Sequence, residues 1–136
     1  MAQTTPLTRN RILYSDFHKD LALLPGRGDL ARTVNENSVR ESIKNILLTD
    51  RGERLFQPLL GSDIRATLFE NATPITSIIL RDKISDTLRA YEPRANLLDV
   101  EVTGDIDTNA LRINVVFSVI NNETPQTLSI DIDRVR

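Results

Sequence analysis

The chain has 136 residues, enough for one packed core and too few for two. Lys and Arg number 17 against 19 Asp and Glu, so a net charge of −2 gives little drive toward nucleic acid or anionic lipid. Hydrophobic residues at 40% and charged residues at 26% are ordinary for a folded globular protein, and the lack of cysteine excludes disulfides and thiolate metal sites.

Residues 1 to about 11 are polar, carry Arg9 and Arg11, and read as a flexible N-terminal arm, either a frayed terminus or a segment that orders against a neighbour. They lack a signal peptide's apolar stretch, and no apolar run approaches the roughly 20 residues needed to span a bilayer. Synthesis and retention in the cytoplasm are expected, unless a larger particle carries the chain out. Apolar runs at Ile12-Leu13-Tyr14 and Leu21-Ala22-Leu23-Leu24, with a turn at Pro25-Gly26-Arg27-Gly28, predict a loose extended region holding one short strand or hairpin.

The first helix is capped by Asn35 or Asn37. Val39, Ile43, Ile46 and Leu47 recur on one face at helical spacing, and Gly52 closes the C-terminal end. Residues 53–61 are too broken by Pro58 and Gly61 for a helix and suit a tight hook, with Leu55 and Phe56 tucked into the core and Arg54, Phe56 and Pro58 holding the fold together. Ser62 or Asp63 then caps a short helix through Glu70, with Ile64, Leu68 and Phe69 inward. Thr73 caps and Pro74 opens a third helix, with Leu80, Ile84, Leu88 and Tyr91 as its buried stripe. Ile75, Ile78 and Ile79 lie on its other side, either packed on the short helix or left for another subunit.

Pro93 ends that helix and forces Glu92 into an extended conformation. Glu92 and Arg94, two apart, then project together from one corner, as a docking pair, as an ion pair closed within the domain with Glu92 or a residue such as Glu53 as Arg94's partner, or as both. Three strands follow. Leu98, Val100 and Val102 alternate with polar residues, as do Leu111 to Val119 and then Leu128, Ile130 and Ile132. Turns fall at residues 104–109 and 121–125, and apolar Val116 and Ile120 suggest a middle strand covered on both faces. The fold class is α+β: about three helices on one face of a small antiparallel sheet, ending in a three-stranded meander within a single domain over residues 1–136. If the last strand lies at the edge, its outer N–H and C=O groups are either open to a strand from another chain or shielded by Asp131, Asp133, Arg134 and Arg136.

Catalytic chemistry is thinly represented. Glu53, Asp63 and Glu70 flank the hook and could serve a glycosidase, which needs two carboxylates, but no aromatic-rich cleft is available to raise an acid's pKa. Helix capping and surface ion pairs are the plainer reading of these acids. The single histidine, His18, has no nucleophile motif and no company for a metal site, so neither metal nor cofactor is expected.

Three ordered blocks carry a resemblance. They are Tyr14-Ser15-Asp16; Ser42 to Thr49 with Arg51-Gly52-Glu53-Arg54-Leu55-Phe56-Gln57-Pro58 and Gly61-Ser62-Asp63-Ile64; and Glu70-Asn71-Ala72-Thr73-Pro74 followed by Tyr91-Glu92-Pro93-Arg94. From about Tyr14 to the last strand the chain resembles the sheath-initiator, or baseplate wedge, family of contractile phage tails. The resemblance implies a non-catalytic virion protein, made in the host cytoplasm and present in several copies around the tail tube. Glu92, Pro93 and Arg94 would face the wedge proteins, whose helical bundles hold the initiator, and the hook residues Arg54, Phe56 and Pro58 could touch the wedge as well. The strand of Leu128, Ile130 and Ile132 would pair with the tail sheath protein, and tube or hub-proximal proteins are further candidate partners. Two other functions travel with the resemblance: a peptidoglycan-cleaving enzyme, since the family has carried a lysozyme label, and an anti-adaptor that shares the fold.

Overall fold

The computed structural model describes residues 11–67, 73–105 and 110–133. The expected N-terminal arm, the inward placing of Leu68 and Phe69, and Glu70 as a candidate acid fall outside the described residues, except for Arg11 at the arm's end.

Two short antiparallel strands, β1 (Ser15–Phe17) and β2 (Arg32–Val34), form the N-terminal hairpin, extended by a bridge between Leu23 and Leu30. Helices α1 (Asn35–Leu48), α2 (Ile64–Thr67) and α3 (Pro74–Tyr91) follow, and then the meander of β3 (Ala95–Asp105), β4 (Ala110–Val119) and β5 (Asn122–Asp133). The sheet order is β3-β4-β5, all antiparallel, which makes β4 central and leaves β3 and β5 as edges.

Alternation along the strands puts Ile113, Val115 and Phe117 of β4 and Leu128, Ile130 and Ile132 of β5 on one face of the sheet, where the helices cover them. Val39, Ile43, Ile46 and Leu47 of α1 and Leu80, Ile84 and Leu88 of α3 complete this core, joined by Ile64 and Val100. Each such side chain contributes about 1.5–3 kcal/mol on leaving water. Thr73 caps α3 as expected, its hydroxyl accepting from the Thr76 N–H at 3.2 Å, and the last helical bond runs from the Glu92 N–H to the Leu88 carbonyl.

Several local expectations are corrected. Leu55 and Phe56 are not tucked into the core: they are 90% and 97% exposed. The side chains of Arg54, Phe56 and Pro58 lie at the surface too, and Arg54 and Pro58 contribute to the hook through their carbonyls, which accept from the Gln57 and Gly52 N–H groups at 3.2 and 2.9 Å. At the end of α3, Glu92 turns inward while Tyr91 stays at the surface. Asn35 does not cap α1. With φ of 49° it turns back, and its side-chain oxygen accepts from the Leu13 and Tyr14 N–H groups at 2.8 and 3.4 Å. The helix ends at Thr49, and Gly52 (φ 84°) serves the hook instead, donating to the Pro58 carbonyl at 2.9 Å. Ser62 does not cap α2; its hydroxyl donates to the Leu47 carbonyl at 2.6 Å.

A register shift between Leu97 and Asp99 makes Leu98 a bulge residue, so Leu97 and Val100 face the core and Leu98 is exposed. The second turn is tighter than expected, Ile120-Asn121 with Asn121 at φ 76°, and Pro125 lies inside β5 next to another shift in register. On the helix-covered face of central β4 Ile113, Val115 and Phe117 are fully buried, and on its other face Ser118 is buried as well. There Val116 is half-shielded between its cross-strand neighbours Asp99 and Thr127. Ile75, Ile78 and Ile79 are exposed.

Candidate functional site

Three features stand apart from the core: the Glu-Pro-Arg corner, the hook, and the free edge of β5.

The corner exists because Pro93 cannot extend α3. Glu92 leaves helical geometry at φ −126°, ψ 73°, and the Ala95 N–H returns to the Glu92 carbonyl at 3.2 Å. The two charges do not project outward together. Glu92 is only 2% exposed, and both of its oxygens accept from Arg94, from Nε at 2.7 Å and from Nη2 at 2.9 Å. This is the internal pairing, with Glu92 rather than Glu53 as the partner. Direct contact between Glu92 and another protein is corrected accordingly, while Pro93 remains exposed and Arg94 partly so.

Arg94 does more than close that pair. Its Nη1 donates to Asp16 Oδ2 at 3.0 Å, and the same oxygen accepts from the hydroxyl of buried Ser38 in α1. The guanidinium lies 5.6 Å from the centre of the Tyr14 ring, and the Arg94 carbonyl accepts from the Ile120 N–H at 2.9 Å. One arginine therefore ties together the N-terminal hairpin, α1, the end of α3 and the β4–β5 turn. The hydrogen bond from Ser38, followed by Arg94, holds the Asp16 carboxyl below its ordinary value despite partial burial. Glu92 and then Asp16 push the guanidinium higher still, so it stays charged whenever the protein is folded. Sequence reasoning missed Asp16 and Ser38 in this role. The only signal was the Tyr14-Ser15-Asp16 block, which carries no pairing information by itself.

The hook is a closed loop. Its base is fixed by Gly52 N–H to Pro58 O at 2.9 Å and Ser62 N–H to Thr49 O at 2.9 Å, and its interior by Gln57 N–H to Arg54 O at 3.2 Å. The Glu53 carboxylate accepts from the Asp50 N–H at 3.0 Å, and Asp63 sits 3.6 Å from Arg51. These acids are occupied in holding the loop, and neither lies in an apolar pocket.

Along the third feature, β5 pairs with β4 without a shift from Gln126↔Phe117 to Asp133↔Ala110. Among the described residues nothing pairs with its other side. Leu128, Ile130 and Ile132 point into the core, so any further pairing there would use main-chain groups. Asp131 is held at the surface by Arg112, through Nε at 2.6 Å and Nη2 at 3.2 Å.

This arrangement has relatives. A family profile described as baseplate wedge protein gp25 matches residues 33–133. The baseplate wedge protein gp25 of Enterobacteria phage T4 is 36% identical over 110 residues, covering 81% of this chain and 83% of that protein. The chain belongs to the gp25 baseplate wedge protein family. It thereby stands among the structural proteins of phage tail baseplates. A Geobacter sulfurreducens protein named for a tail lysozyme superposes with a TM-score of 0.67 at 27% identity, over 74% of this chain and 92% of that one. A chain of the anti-feeding prophage baseplate shares the fold, with a TM-score of 0.63 at 19% identity over 87% of this chain and 83% of its own.

Proposed function

We propose that this gp25-family chain is a non-catalytic wedge subunit that starts the sheath of a contractile phage tail. It sits in several copies around the tube, its Pro93–Arg94 face is turned toward the wedge proteins, and β5 receives a strand of the sheath protein. The observation that carries this reading is the unpaired outer edge of β5. Its unshifted register over Gln126 to Asp133 offers a straight row of main-chain donors and acceptors. The opposite edge, β3, is interrupted by the Leu98 bulge and is the poorer template. Glu92 supports docking from behind, by fixing Arg94 and the turn that presents Pro93.

The chain has no native cysteine, so Ser129→Cys introduces a single thiol on exposed β5. In purified tails a short bifunctional maleimide-amine reagent should join that thiol to the sheath protein. Intact tails that contain the variant and give no sheath adduct would overturn the pairing. The lysozyme reading predicts cell-wall cleavage by the purified chain, lost in Glu53→Gln. The Glu53 hydrogen bond within the hook favours a structural role, and no turnover is expected.

A further inference from the structure

The hook has a property that neither the corner nor the sheet edge explains. Its three large apolar side chains, Leu55, Phe56 and Leu59, all point into solvent, although the loop that carries them is firmly built. Of the three described phenylalanines Phe117 is fully buried and Phe17 is 59% exposed, while Phe56 at 97% is almost fully bare. These side chains add nothing to the core, so folding does not account for them.

We propose that the hook tip is a preformed anchor that seats in an apolar groove with an acidic rim on a different protein of the baseplate. This goes beyond the reading above, which assigns no role to the hook, and rests on it only in placing the chain inside that assembly.

Three observations select this occupant. The first is pre-organisation: the base hydrogen bonds from Gly52 and Ser62, with the Asp50–Glu53 contact, fix the loop before any partner arrives, so docking orders few groups. The second is charge. Arg51 is matched by Asp63 and Arg65 by Asp50, whereas Arg54, directly beside the apolar tip, has no acidic partner among the described residues. A carboxylate at the rim of the receiving groove would supply one.

The third observation concerns a second copy of this chain. A convex tip needs a concave apolar seat, and two clefts between described residues are unsuited to it. One, between α3 and β3, is walled by Arg81, Asp82, Asp86 and Arg89. The other, beside the β4–β5 turn, has Leu13, Tyr14, Val119 and Ile120 in its lining but sets them among Arg11, Asn35, Glu36, Asn121 and Asn122. Seating Phe56 in either would strip water from charged or polar groups without replacing it.

The test uses tails assembled with the variant as the sole source of the chain. In Phe56→p-benzoylphenylalanine tails, irradiation should give one adduct with a baseplate protein other than this chain. The Leu55→Ser/Phe56→Ser variant should keep the wild-type urea midpoint when purified, yet enter baseplates at least about tenfold less well. Arg54→Glu should show a smaller loss of the same kind. An adduct joining two copies of this chain, or tails that contain the probe and give no adduct, would overturn the anchor. So would normal incorporation of the double variant, or a midpoint lowered as for a core substitution. Wild-type chain absent from purified tails would instead refute the proposed function, which keeps the two failures distinct.

Discussion

Arg94 holds Glu92 by both arms of its guanidinium, at 2.7 and 2.9 Å, and so neutralises a carboxylate that is almost wholly removed from solvent. Arg94→Ala leaves that carboxylate buried without a counter-charge, which costs about 3 kcal/mol. Arg94→Lys recovers only part, because an ammonium cannot bond both oxygens in one plane. Urea unfolding measures both, and a midpoint for Arg94→Ala equal to wild type would remove the structural importance of the pair. A lost-assembly phenotype at Arg94 therefore has to be read beside the stability of the variant.

The tie to Asp16 sets a dependence on acid. A carboxyl whose folded pKa lies below its unfolded value stabilises the fold above the unfolded value and loses that contribution as pH falls through the folded one. Asp16 is such a group, shifted below its ordinary 3.8. The midpoint difference between wild type and Asp16→Asn should hold constant while pH stays well above the ordinary 3.8 and shrink progressively as pH falls below it. A difference that grows on acidification would contradict the assigned hydrogen bonds from Ser38 and Arg94.

Two glycines at the hook should respond unequally to alanine. Gly52 has φ 84° with open space where a Cβ would stand, so Gly52→Ala carries only backbone strain, about 1 kcal/mol. Gly61 has φ 122°, and its Cβ would lie 2.4 Å from the Thr49 carbonyl oxygen, so Gly61→Ala should cost more than about 2 kcal/mol. Thermal unfolding of the two single variants gives the ranking directly.

The bulge in β3 makes adjacent leucines unequal. Leu97 packs against the core and Leu98 faces water, so Leu97→Asp should destabilise by about 2 kcal/mol while Leu98→Asp stays within about 0.5 kcal/mol. Equal losses at both positions would argue against the register shift.

Much of this architecture is legible in the chain itself. Helical spacing exposes the stripes Val39-Ile43-Ile46-Leu47 and Leu80-Ile84-Leu88, and period-two alternation exposes β4 and β5, because burial acts on every residue of those faces. Thr73-Pro74 and Pro93 mark the ends of α3 through local sterics alone. What fails to show depends on distant geometry. A strict period of two puts Leu98 inside, since an inserted residue has no signature in an apolar pair. Arg94 meets Asp16 across a separation of 78 residues, which no spacing rule reaches. The hook was recognisable from Pro58 and its flanking glycines, but composition says that a loop closes and not which way its side chains face. The corner's choice of Glu92 as an internal partner was one of the open readings, decided only by burial.

The closeness of Gly61 to Thr49 has a mechanical outcome. With a carbonyl pressed where a side chain would otherwise stand, and Ser62 fastened to the last turn of α1, the C-terminal end of the loop is fixed to the helix. A pull at that end of the loop bears directly on the last turn of α1, whose Ile43 and Leu47 share the core with β4 and β5. The apolar tip is thus joined through one short stretch of chain to the helix that covers the sheet.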